Sequence, residues 1–287
     1  MAALLHTSFL VTFLLFAVPA RAQDTLHNAA DDSLHSYRLA LVTGITSAGF
    51  IYGYTMQHAM WWKGEKSPFH FEWKQDWTYA LGSDKFGHAY FPYLVSNIYC
   101  KLFQWSGVNE TKSIWLGSAL GMSYQTFIEI RDGFSKEWGF SWGDFTADLL
   151  GSSYPVAQYY YPWLRNITLK ISYYPSNRFR EHHNSTLIDD YESTYDWVSV
   201  SVHSLLPYEC KKFWPAFVNL ALGHSVKNLD DPSGGHHEFY LGLDWNLLSI
   251  PDSWWLYRIL KNTIGYYHLP APAIRIYPGV TWYGFKF

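Results

Sequence analysis

Residues 158–174, "QYYYPWLRNITLKISYY", contain the point at which the chain changes its period. Before Pro162, apolar and aromatic side chains recur at helical spacing. After it they alternate, with Ile167, Leu169, Ile171 and Tyr173 on one face and Thr168, Lys170 and Ser172 on the other. Proline has no amide proton to donate and biases the residue before it away from helical geometry, so the boundary has a backbone cause. The break separates a helical half from a strand-rich half and predicts an α+β fold: a bundle of about four apolar helices followed by a small antiparallel sheet of about five strands.

Toward the N-terminus, residues 37–62 carry one charge, Arg38, and are long enough to cross a bilayer at about 20 residues per span. Gly44, Ser47, Ala48, Gly49 and Gly53 would let neighbouring helices approach closely. The run fits both a membrane span and a buried central helix. Three further helices are predicted over 84–105, 110–131 and 142–161. Their cap signals are Ser83 or Asp84, Asn109 and Ser141, and acids in the first turn suit the helix dipole. A mean hydropathy of −0.14 is low for a polytopic membrane protein and favours a compact bundle that touches or partly enters a bilayer.

Toward the C-terminus, "DWVSVSVHS" (196–204) alternates valine with serine or histidine and reads as a second half-buried strand. "FVNLALGHSV" (217–226) and "HEFYLGLDWNLL" (237–248) flank the turn-rich "NLDDPSGGH" (228–236) as a hairpin. A short helix near 253–263 and a last strand over 273–287 complete the half. Tyr283, Phe285 and Phe287 at period two resemble the assembly signal of outer-membrane barrels and point to a Gram-negative envelope. A closed single-chain barrel needs at least about eight strands, so a small sheet packed on the helices is the expectation.

Residues 9–18 are continuously apolar and precede Pro19 and Ala20-Arg21-Ala22, which reads as a signal peptide cleaved after Ala22. The organisation is therefore 1–22 signal peptide, 23–165 helical domain and 166–287 strand-rich region. The expected location is the periplasm or outer membrane, with an integral inner-membrane placement as the alternative. No cysteine lies near the cleavage site, so lipid anchoring is not expected, and Cys100 and Cys210 are read as separate thiols. Aromatic residues are 20% and charged residues 16% of the chain, against a usual charged share of about 25%. That bias implies a wide apolar surface for membrane or envelope partners. A net charge of −3 and a pI near 6.5 offer no basic field for nucleic acid. Neither a P-loop nor a dinucleotide fingerprint occurs, so no nucleotide is expected.

Three polar clusters interrupt the apolar helices: Asp84 and His88 with Lys85 between them, Glu129 and Asp132, and Asp144 and Asp148. Their i, i+3 and i, i+4 spacings place each pair on one helix face. If the faces converge, five carboxylates meet. Like charges at short range raise one another's pKa, so Lys85, Arg131, Lys136, retained protons or a divalent metal must balance them. Capping explains Asp84 and Asp144, and Asp132-Gly133 reads as a helix stop. It does not explain His88, Asp148 or Glu129. An ion-pair network organising the bundle is one reading. The alternative is an enzyme or binder for a lipid or cell-wall intermediate, with His88 and Glu129 or Asp132 as acid and base. The pairs His182-His183 and His236-His237 are expected in solvated loops. The cofactor, if any, is left open.

"SDKFGHAYFPY" (83–93) and "FIEIRDGFSKEWGFSWGDFTADLLGS" (127–152) resemble the YfiM-type bacterial envelope proteins of unknown function, and more distantly the VanZ-like membrane family. The likeness is sharp over 69–151. By position it implies that Asp84, Lys85, His88, Glu129, Asp132, Gly133, Asp144 and Gly151 fill the family motif. Asp148 departs from the asparagine usual there, and the lipoprotein cysteine of the short members is absent. No reaction follows from the likeness.

Overall fold

A computed structural model describes residues 34–176, 189–249 and 263–287. The expected signal peptide, His182-His183 and all but the end of the helix near 253–263 lie outside the described residues. Four long helices come first: α1 (Ser36–Met60), α2 (Ser83–Trp105), α3 (Glu110–Asp132) and α4 (Trp142–Tyr160). Their bounds follow the caps read from sequence at two of three starts. The Asn109 side chain accepts from the Lys112 amide and that of Ser141 from the Asp144 amide, each at 2.9 Å. At α2 the expectation fails. The chain enters through left-handed residues ending at Gly82 (φ 79°), Ser83 is already helical, and its hydroxyl donates to Asp196 Oδ2 at 3.1 Å. Glycine suits this entry because a Cβ would strain it.

The helix α2 lies against both α3 and α4, and small residues set the spacing. A Cβ on Gly117 or Gly121 of α3 would overlap the α2 backbone at Ser96, Cys100 and Pro92, and one on Gly151 of α4 would overlap the Ala89 carbonyl. This close approach brings polar side chains near the helix axes within reach of one another. By contrast, α1 buries only Val42 and Gln57. It is the one described helix long and apolar enough to cross a membrane.

The sheet is an antiparallel meander of β1 (Ile167–Tyr173), β2 (Thr194–Val200), β3 (Val218–Lys227), β4 (His236–Trp245), β5 (Ala271–Tyr277) and β6 (Thr281–Lys286) in sequence order. The sixth strand arises because the last alternating run folds back on itself: Arg275 pairs with Thr281 across a turn at Pro278-Gly279. Val202, expected in β2, instead opens the short helix α5 (Val202–Leu205). Residues 236 and 237 begin β4 rather than lying in a loop.

The sheet buries polar and charged groups beside an aromatic cluster on one face and exposes large apolar side chains on the other. Lys170, Ser172, Trp197, Ser199, Asn219, Ser225, Tyr240 and Asp244 are buried. The opposite face carries Leu169, Val198, Leu222, Leu241, Ile274 and Trp282, which the register joins into one row across all six strands. In that row Leu222 is 59% exposed and Trp282 76%. The polar side closes because residues 266–268 run beside β1, with the His268 amide donating to Ile171 O at 2.9 Å, and then lead directly into β5. That path requires the sheet to curl around its buried face. Tyr90 Oη donating to Tyr266 O at 2.9 Å ties this segment to α2.

Candidate functional site

The predicted clusters on α2, α3 and α4 do converge. Lys85 Nζ lies 2.7 Å from Asp144 Oδ1 and 2.9 Å from Asp84 Oδ2. His88 Nδ1 lies 3.1 Å from Asp148 Oδ1 and 3.8 Å from Glu129 Oε1, while its Nε2 faces Asp144 Oδ1 at 3.6 Å. The one imidazole thus meets carboxylates from two other helices, forming a buried salt-bridge network within the helical region. Asp132 stands at its margin, accepting from Trp62 Nε1 at 2.5 Å.

Two of the expected balancing cations are elsewhere. The Arg131 guanidinium lies over the Trp62 ring, 5.0 Å from its centroid, and Lys136 pairs with Glu65 at the surface. Retained protons make up much of the difference. Burial, reinforced by Asp144, pushes Asp84 up to about 6. Burial opposed by His88 leaves Glu129 at about 9, and burial opposed by the Trp62 bond leaves Asp132 at about 7. Burial alone would lower the His88 pKa, but Asp144, Asp148 and Glu129 outweigh it and push it up to about 10. At neutral pH Glu129 is therefore protonated, and the charge on His88 rests on Asp144 and Asp148.

Supporting residues that sequence reading missed hold these groups in place. Gln125 Nε2 donates to Asp148 Oδ1 at 2.7 Å, and the Ser141 amide donates to Glu129 Oε2 at 3.1 Å. Asp76 Oδ1 accepts from Ser141 Oγ at 2.5 Å and from the Gly143 amide at 2.9 Å, which anchors the first turn of α4. Gln125 was visible as a polar break in an apolar helix. Asp76 lies between the predicted helical runs 37–62 and 84–105 and gave no signal.

All of the cluster but Asp148 lines a cavity of about 430 Å³ whose walls include Tyr52 and Met56 of α1 and Phe91, Val95, Ile98 and Tyr99 of α2. Volumes of about 300–1,000 Å³ with apolar walls and a few convergent polar groups are typical of small-molecule sites.

A second buried network lies inside the curled sheet. Lys170 Nζ is 2.6 Å from Asp244 Oδ2, His268 Nδ1 is 3.0 Å from Asp244 Oδ1, and Ser199 Oγ donates to Asp244 Oδ2 at 2.6 Å. Trp197 stacks on His268 with ring centroids 3.9 Å apart. The free thiols Cys100, buried, and Cys210, exposed, take no part in either network.

These features define an α+β chain with a helical region organised by internal ion pairs and a sheet that buries an ion-pair network beside an aromatic cluster. Residues 72–160, from the approach to α2 through the end of α4, match the family described as predicted periplasmic lipoprotein (DUF2279). The match includes every residue of the cluster. Neither the curated proteins nor the solved structures include a significant match.

Proposed function

We propose that this is an exported, membrane-associated envelope protein in which the ion-pair cluster organises the helical bundle and the sheet turns its outer face to lipid acyl chains. One observation carries this reading: an apolar row crosses all six strands with Leu222, Leu241 and Trp282 exposed, while Lys170, Ser199 and Asp244 are buried on the other face beside an aromatic cluster. In water the stable arrangement buries the leucines. In contact with lipid, polar groups turn inward and satisfy one another. The exposed apolar helix α1 adds a second surface of the same kind. In a liposome flotation assay the full-length protein should float with the vesicles in high salt. The triple variant Leu222→Gln, Leu241→Gln, Trp282→Gln should float several-fold less while keeping its circular dichroism. A wild-type chain that stays soluble without detergent would overturn the reading.

The cavity favours a second role for the same cluster, binding an amphiphile with its polar head at Lys85 and His88 and its chain along α1 and α2. Filling the cavity with Val95→Trp should weaken binding of a fluorescent fatty acid at least tenfold. Unchanged binding in a folded Val95→Trp protein would remove this role.

A further inference from the structure

We propose that His88, Glu129 and Asp148 form a three-ligand site for a zinc-class divalent cation, open toward the cavity. The donor atoms of these three residues all lie within 4.8 Å of one another. A tetrahedral ion held at about 2.1 Å from each donor separates neighbouring donors by about 3.4 Å. The His88 distances to Asp148 and Glu129, 3.1 and 3.8 Å, bracket that value. Asp148 is wholly buried, yet its Oδ2 has no hydrogen-bond partner among the described residues. A buried carboxylate oxygen without a donor is costly, and a cation taken by both Asp148 oxygens supplies what Oδ2 lacks.

Each ligand is oriented by a further group, as metal sites require. Gln125 holds Asp148, the Ser141 amide holds Glu129, and Asp144 faces the His88 nitrogen remote from the site. Lys85 is engaged by Asp84 and Asp144 and does not compete for the position. His88 and Glu129 line the cavity, so an ion there keeps a coordination position accessible from it. One imidazole with two carboxylates suits a borderline ion such as zinc better than magnesium. This site is independent of membrane contact.

The test is calorimetric titration of zinc into the full-length, chelator-stripped protein. One equivalent should bind, Glu129→Gln and Asp148→Asn should each weaken it at least about tenfold, and His237→Ala should leave it unchanged. His237 is the control because its Nδ1 lies 3.0 Å from His224 Nε2, a histidine pair among the described residues that could also capture zinc. The absence of saturable binding, or binding abolished by His237→Ala and indifferent to Glu129→Gln, would overturn the proposal. X-ray absorption on the zinc-loaded wild type decides the matter even if the variants misfold. A shell with one imidazole and otherwise oxygen supports the site, and two or more imidazoles refute it.

Discussion

Replacing Lys170 by Met should destabilise the protein by about 3–5 kcal/mol, the usual cost of removing one partner from a buried ion pair. Lys170 is 3% exposed, and its ammonium meets Asp244, itself buried between His268 and Ser199. Burial draws the Lys170 pKa down, against the pull of Asp244. In the same way, Asp244 is held below the usual carboxylate range because His268 and Lys170 outweigh its burial. Methionine fills much of the volume but leaves the carboxylate short of its cation. The double variant Lys170→Met, Asp244→Leu should cost less than the two single changes added together, since it also removes the stranded charge. Denaturant melts followed by tryptophan fluorescence measure both. A loss below about 1 kcal/mol in Lys170→Met would mean that the sheet interior admits water.

Metal-free protein should lose stability as pH rises from about 5 to about 9, opposite to the behaviour of a protein held by ionised carboxylates. Glu129 titrates at about 9, Asp132 at about 7 and His88 at about 10 in the folded chain, all above their unfolded values. The folded state therefore binds more protons than the unfolded one across this window, and stability must fall with pH. The cause differs between groups. The acids lose stability because ionising them means charging buried oxygens. The imidazole contribution is complete below its unfolded pKa and is lost as pH passes the folded one. Each pKa unit is worth about 1.4 kcal/mol, so the three shifts together imply a fall of up to about 10 kcal/mol across the window. Lys286 opposes it: burial and the nearby Lys227 lower its pKa to about 7, so above that pH the unfolded chain binds the extra proton and stability gains. Melts at several pH values in the presence of a chelator should show a shallower fall in Glu129→Gln and a steeper one above pH 7 in Lys286→Met. A wild-type maximum on the alkaline side would contradict the protonation states assigned to the cluster.

Much of the cluster was legible in the sequence because its chemistry conflicts with its surroundings. His88, Glu129 and Asp148 stand inside apolar helices, where a polar group survives only with a partner. Spacing along each helix could show which face they share but not whether the three faces meet. That depended on Gly117, Gly121 and Gly151, whose missing side chains let the helices close to a distance at which Lys85 and His88 reach two other helices. Asp132, with the same spacing logic as Glu129, turned instead to Trp62.

The sheet gives the opposite case. Its strands were legible from alternation, but alternation alone does not say which of two faces is inside. Lys170 and Ser172, polar positions of the alternation in β1, are buried, while Leu222 and Trp282, apolar positions of β3 and β6, are exposed. The deciding contact is non-local, since residues 266–268 return to β1 and close the polar side almost a hundred residues further along the chain. Local periodicity and backbone chemistry thus determined the helices, most strands and the change at Pro162. Tertiary structure decided which faces are inside and which charges are neighbours, because both depend on contacts between segments that no local pattern encodes.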